Sequence, residues 1–554
     1  MRVDSMAGEH DAVPGGTVLD SAHVGDIVGA FGRIPVGHET SGRPGARNWW
    51  RTLLAVVGPG LIVMVGDNDA GAFSTYSQAG QNYGTALLWT LLLLVPVIYV
   101  NQEMVVRLGA VTGVGHARLI FERFGRFWGA FSVIDLFVLN ALTIVTEFIG
   151  ISLGLGYLHI PRLPGVVLAA VLIVAAASTG SFRRFEQVSM ALVAGSLVLI
   201  PIFVMVHPPL GQVAHDVVVP QLPGGSGQLA TVMLLVIAIV GTTVAPWQLF
   251  FQQSYLIDKR ITPRYMRYEK VDLWIGIVVV VVGAVAMMSF SAAAFQATPG
   301  AGHFTDAAGV AAGLAHAGGR IAGVLFAIAL IDASIIGAAA VGLSTSYAIG
   351  DVLGLRHSLH RKPSEAKGFY TVFGLLLLGS AIIVLIPGSP LGLITEGVQT
   401  LAGVLLPSAT MFLLLLCNDK AVLGPFVNGR KTNVFSGAVV IALLLLSVIL
   451  TVAVVFPSIS AVHILWILGA GVVLSAAGGG WLLVTQWRRH RANPVLDPIA
   501  QYDDPAGWRM PSLSLLERPE VSLTRRIIIG AMRFYLVAAC VLVVVRVVQL
   551  WLAH

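Results

Sequence analysis

Charge is what this chain has least of. Only 11% of its 554 residues are Asp, Glu, Lys or Arg and 56% are hydrophobic, whereas soluble domains carry roughly 25% charged residues. That deficit excludes an ordinary soluble protein and reads as a polytopic membrane protein. Cysteine is nearly missing: Cys417 and Cys540 both fall in or beside apolar stretches, so no disulfide framework is encoded. No metal-ligand Cys/His spacing, nucleophile–base arrangement or cofactor motif occurs, so no enzyme and no resident cofactor are expected. The net charge of +6 does not point to nucleic acid, because the basic residues sit in loops between apolar runs. Residues 1–48 are polar and Gly-rich without an apolar core, which argues against a cleaved signal peptide and reads as a disordered cytoplasmic tail.

What remains is long apolar runs. At about 20 residues per crossing they divide into twelve spans: 52–80, 85–108, 128–157, 164–180, 186–206, 229–257, 271–297, 321–350, 369–387, 393–417, 433–456 and 461–486. A polar linker at 488–526 precedes a last apolar stretch within 527–554, where Arg533 and Arg546 lie near opposite ends. A thirteenth span with both arginines snorkelling to the interfaces fits, and so does an interfacial helix. Lys and Arg cluster after every even-numbered span, as in Arg183–Arg184, Lys259–Arg260 and Arg361–Lys362. The opposite loops are nearly free of them, with Arg162 and Arg320 the exceptions. By the positive-inside rule the even-numbered spans end in the cytoplasm and the N-terminus lies there too, in a cell membrane.

Span one carries the signal that organises the rest. A helix expected from Leu53 to Val65 breaks on Gly66-Asp67-Asn68-Asp69-Ala70-Gly71, and a second piece runs from Ala72 to Ala79. A charge at mid-membrane depth costs ~2.5–3.5 kcal/mol on insertion scales, so its default reading is functional. Glycines let the chain leave helical geometry and turn carbonyls toward a cavity. The competing reading is that Asp67 and Asp69 merely cap the second half-helix. Span six is interrupted as well, at Gly241-Thr242-Thr243-Val244-Ala245-Pro246-Trp247-Gln248, where proline removes a donor. Interruptions in spans one and six mark a five-plus-five inverted repeat. The repeats are then 49–208 and 209–420, with 421–487 (spans eleven and twelve) outside them.

The residues at these breaks resemble a known family. Gly58-Pro59-Gly60, Asp69, Gly71, Gln78-Ala79-Gly80 and Tyr83-Gly84 resemble span one of the NRAMP divalent-metal transporters, with Asp69 on the aspartate of their DPGN motif. Thr146-Glu147-Phe148-Ile149-Gly150, then Gly241, Val244 and Pro246, then Gln399 with Leu406-Pro407, are similar to their third, sixth and tenth spans. Asn418-Asp419-Lys420 through Asn428 is similar to the loop that follows. The resemblance implies a leucine-transporter-like, all-α fold with broken helices one and six, alternating access and a divalent cation as cargo. It also exposes departures. The motif's proline and asparagine are Ala70 and Ala72, the family's metal-binding methionine is Ala245, its neighbouring histidine is Trp247, and a third-span aspartate is Ile144. These losses resemble the NRAMP-related magnesium transporters.

The chemistry leads to the same ion. A thioether is a soft ligand favouring transition metals, and none stands at Ala245. Magnesium is hard and keeps several waters while touching one or two carboxylates. Two alanines leave room for such an ion: Asp69 would supply charge, Asp67 and Gln399 would bond its water shell, and carbonyls around Thr242, Thr243 and Ala245 would complete it. Gln248 either faces the cavity or satisfies backbone opened by Pro246. Glu147 either steers cations or makes a structural hydrogen bond. Asp135 and Asp332 are candidates for a second cation, a proton or gating, or are paired with polar neighbours. All 14 histidines fall in tails, loops or span ends, so uptake of Mg2+, with Mn2+ the other candidate, is expected to be driven by potential rather than protons. A proton-coupled manganese or iron importer and a sodium-coupled symporter of small organic solutes are the alternatives. The bilayer and the cation are the partners expected; a monomer is compatible with the sequence.

Overall fold

A computed structural model describes residues 18–36, 46–223, 229–388 and 391–455, with short stretches between 462 and 480, residues 507–516 and Gly530. Among the described residues nine helices are long and apolar enough to cross a membrane, and the bent pair Asn48–Val56 and Pro59–Gly66 makes a tenth. Span two is Leu88–Thr112, span three Arg126–Tyr157, span four the shorter Arg162–Ala177 and span five Phe182–Val206. Span six is Leu229–Thr243 plus Pro246–Asp258, and span seven is Met266–Phe295. Spans eight to eleven are Arg320–Leu353, Lys367–Val384, Leu391–Cys417 and Arg430–Val455. The arrangement is the leucine-transporter-like inverted repeat, with both interrupted spans at its centre. Span twelve is described only in pieces; 527–552, apart from Gly530, lies outside the described residues.

Every residue of Pro59–Gly66 and of Pro246–Asp258 is buried. The outer spans show lipid the reverse, as Val167, Leu168, Val171 and Leu172 of span four do with their exposed side chains. Close approach at the centre depends on small residues. A methyl on Gly80 would overlap the Met288 carbonyl of span seven, so the second half of span one lies directly on that backbone.

Two expectations need correction. The helix expected from Leu53 to Val65 is two pieces, Ala46–Val56 and Pro59–Gly66, bent by 46° at Gly58. Gly58 sits at φ 151°, which a side chain resists, and Pro59 starts the next helix where its missing N–H costs nothing. The carboxylate of Asp272, from span seven, accepts from the freed N–H groups of Gly58 (3.1 Å), Gly60 (2.7 Å) and Leu61 (3.3 Å). The tail expected to be disordered over 1–48 is structured over 18–36. There a turn at Ser21–His23 leads into a hairpin, β1 (Ile27–Gly29) antiparallel to β2 (Gly32–Ile34), which is the one departure from an all-α chain among the described residues. Its polar residues have partners that composition does not reveal: Arg361 bonds Asp20 (2.6 Å) and Arg260 bonds the carbonyl of Ala22 (2.7 Å). Finally, the polar linker is anchored where it is described, since the Met510 N–H bonds the Val111 carbonyl (3.2 Å).

The loop joining spans eight and nine carries His357, paired with Asp351 at 2.9 Å and donating its backbone N–H to Asp20. Burial opposes charge on this ring, but Asp351 and Asp20 outweigh it and push its pKa up to about 9. A raised histidine stabilises the fold fully below its ordinary value of about 6.5. That contribution is lost as pH rises through about 9. Protection of residues 18–36 from protease should therefore weaken across that interval, and constant protection up to pH about 10 would contradict it. Gly80→Ala should lower the melting temperature in detergent, since overpacking costs about 1–3 kcal/mol, whereas Gly397→Ala, with nothing near its added methyl, should not.

Candidate cation site

At the acidic break of span one Asp67, Asn68 and Asp69 alone separate the helices Pro59–Gly66 and Ala70–Tyr83. The break is shorter than the glycines suggest, because Gly66 and Gly71 both remain helical. Gly71 serves packing instead. A methyl there would overlap the Gln399 amide, so its bareness seats span ten against the break. Asp69 N-caps the second piece, its Oδ1 accepting from Ala72 N at 2.9 Å. The capping reading is thus right for one oxygen of Asp69. Asp67 does not cap. Its Oδ1 accepts from the Gln248 amide of span six, and its Oδ2 is buried without a partner.

Span six breaks at Val244 and Ala245, with Ala245 extended (φ −79°, ψ 142°) and Pro246 opening the second piece. Having no N–H, Pro246 leaves the Thr242 carbonyl without its usual donor. The Thr242 hydroxyl is buried and unpartnered. The Ala245 carbonyl accepts from Gln248 N (3.2 Å), and the Thr243 hydroxyl is held between Tyr76 (2.7 Å) and the Ile239 carbonyl (2.5 Å). Gly241 lies under span ten, where a methyl would overlap the carbonyl of Gln399; it serves packing as well as the break.

These pieces converge. Asp67 meets Gln248, Tyr76 meets Thr243, and the Gln399 Nε2, buried and without a partner, lies over Gly71 beside Asp69. Gln248 therefore faces the site and is itself held by Gln102 of span two (Nε2 to Oε1, 2.9 Å). Gln102 and Tyr76 were not among the sequence candidates; the trace they leave is one polar side chain on an otherwise apolar face. Glu147 touches the break through Oε2, which accepts from Ala70 N at 3.2 Å, while its Oε1 has no partner. Asp135 and Asp332 do not join it. Asp135 lines a separate small cavity with Ser132, Pro246 and Ser408, and Asp332 packs over Gly195 of span five. Among the described residues no three His, Cys, Asp or Glu side chains are grouped as direct metal ligands. The polar groups that meet at the breaks are carboxylates, side-chain amides and hydroxyls.

A family model described as natural resistance-associated macrophage protein-like, Nramp, matches residues 60–453. The chain belongs to the Nramp family. The divalent metal cation transporter MntH of Ralstonia nicotianae is 31% identical over 410 residues, 69% of this chain and 87% of that protein. MntH of Burkholderia ambifaria is 31% identical over 312 residues, 52% of this chain and 67% of that protein. A manganese transporter of Eremococcus coleocola shares the fold, with a TM-score of 0.59 at 21% identity, covering 82% of this chain and 98% of that one. In this Nramp protein the positions where the sequence departs from the family pattern are packed with apolar groups. Ile144 and Trp247 are buried, and Ala72 and Ala245 line the two breaks with methyl groups.

Gly71→Ala should evict the Gln399 amide and weaken divalent-cation binding about tenfold, read by titration calorimetry. Gln399→Ala should match it, and the double variant should be no weaker than either, as expected for residues acting as one contact. Additive losses would separate Gln399 from the site.

Proposed function

We propose that this Nramp protein imports a divalent metal cation, magnesium in partly hydrated form, driven by the membrane potential without coupled protons. One observation carries the choice of ion: neither break, 66–71 or 241–248, contains a methionine or cysteine. Ala245 offers a methyl, and Met64, the only methionine of the first broken piece, turns to span seven, where a methyl on Gly276 would lie 2.8 Å from its Cβ. Soft metals gain most from a thioether, whereas magnesium keeps its waters and needs oxygen acceptors for them. Asp67 Oδ2 and the Thr242 hydroxyl are buried acceptors without partners, as bonding to a water shell would require.

The absence of coupling rests on Trp247 and Ile144, which leave no titratable side chain at those two positions. The potential contributes about 2.3 kcal/mol per charge per 100 mV, and twice that for a divalent ion. The face carrying residues 18–36, Lys259, Arg260 and Arg361 is taken as cytoplasmic by the positive-inside rule. A second reading, proton-coupled manganese uptake, is favoured by the likeness to a manganese transporter.

Proteoliposome flux separates the two. Magnesium influx should rise with an inside-negative potential, carry no proton current and vanish in Asp69→Ala. Ala245→Met should shift preference toward manganese by roughly tenfold, the weight of one added soft ligand. Manganese transport with proton entry, unchanged by Ala245→Met, would establish the second reading instead.

A further inference from the structure

The hairpin at the N-terminus lies across the joint on which the inner half of span one turns. Ile27 packs in one apolar cluster with Leu53 and Val56 of that piece and with Leu256 and Ile261 at the end of span six. A methyl on Gly32 would lie 2.9 Å from the Ala55 Cβ, so β2 rests on the helix itself. Between the strands, Ala30 N donates to Glu186 Oε2 of span five (2.5 Å), and Gln187 Nε2 donates to the Ala30 carbonyl (3.3 Å). The other oxygen of Glu186 pairs with Lys259 Nζ at 2.6 Å, both side chains fully buried. Lys259 also donates to the Val57 carbonyl (2.8 Å), one residue before the Gly58 bend. Upstream, Arg260 holds the carbonyls of Ala22 and Asp26 (2.7 and 3.0 Å), and Arg361 grips Asp20 through two nitrogens (2.6 and 3.0 Å).

We propose that residues 20–34 are a strap that holds the inner half of span one against spans five and six, so that the site opens to this face only when the strap lets go. Four elements that must part to uncover Asp67 from this side meet on one short segment: the piece Ala46–Val56, the start of span five, the end of span six and the loop after span eight. The strap is a regulatory element of the cation site proposed above and rests on that reading. Its grip is polar and localised, with few apolar contacts besides Ile27. Such contacts form and break as a unit at low cost, unlike the packing of spans three and eight.

Two measurements on the full-length protein test this. In the first, Gly32→Cys and Ala55→Cys are combined in a background lacking Cys417 and Cys540. Oxidation should lower magnesium flux by more than about tenfold, the loss expected when an obligatory conformational step is blocked, and reduction should restore it. Recovery on reduction shows that the variant is folded. Undiminished flux through the cross-linked protein would overturn the strap. The second needs no cargo: Arg260→Gln/Arg361→Gln should raise hydrogen exchange in peptides covering 46–66 about fivefold or more, leaving span three unchanged. Exchange unaltered in both regions would also overturn it. If wild-type protein carries no divalent cation while the exchange result holds, the function fails and the strap stands.

Discussion

A helix broken inside a bilayer leaves N–H and C=O groups that lipid cannot satisfy, and the hydrogen bond between Gln248 and Asp67 ties the two breaks of this protein to each other. Each break is too polar to stand alone. Asp69 caps one free N–H and Glu147 takes another, while Pro246 removes a donor outright. The groups left over are Asp67 Oδ2, Glu147 Oε1, the Thr242 hydroxyl and Gln399 Nε2. Gln102, by bonding the Gln248 oxygen, directs the amide's N–H toward Asp67 and so sets which of its carboxylate oxygens stays free.

That division between the two acids bears on how a cation is held. Asp69 has one oxygen committed to its cap and Asp67 has one committed to Gln248, while the other oxygen of Asp67 is buried without a partner. Asp69 stands on the aspartate of the family motif, and the two acids differ in what holds them: a backbone N–H for Asp69 and a side-chain amide for Asp67. A hydrated ion accommodates this asymmetry, since water reaches oxygens that bare coordination distances do not. Amides at Gln248 and Gln399 extend the polar wall without adding charge, which suits a cargo that must leave again.

Much of this was legible in the chain itself. Two carboxylates in an apolar run, a Gly-Thr-Thr…Pro interruption one repeat later, and basic loops after alternate spans lead to the inverted repeat without any structure. Glu103 and Arg107, spaced one turn apart, pair at 3.0 Å, a contact of the kind that i, i+4 spacing alone favours. The misses share a cause. The bend at Gly58 depends on Asp272, 214 residues away, and the order in residues 18–36 depends on Arg260 and Arg361. No local window contains such partners. Glycines misled for the same reason. Gly71 looks like a breaker beside Asp69, yet it stays helical and its missing side chain makes room for Gln399. Asp135 and Asp332, singled out by depth, lie away from the two breaks.

The two discontinuities in span one have a joint consequence. Pro59–Gly66 has eight residues, about 12 Å of helix at 1.5 Å per residue, bounded by Gly58 at one end and Asp67 at the other. A rigid piece between two hinges moves as a lever, and its far end is one wall of the gap. Asp272 holds the near hinge through three backbone N–H groups, and the buried Lys259–Glu186 pair holds the chain immediately before it. Removing one partner of a buried ion pair leaves the other uncompensated, typically at about 3–5 kcal/mol, so these contacts are costly to lose singly. The hairpin adds a lighter hold from outside through Glu186. The near hinge is therefore held from two sides, by Asp272 within the bundle and by the hairpin through Glu186, so movement of either piece about Gly58 disturbs both sets of contacts.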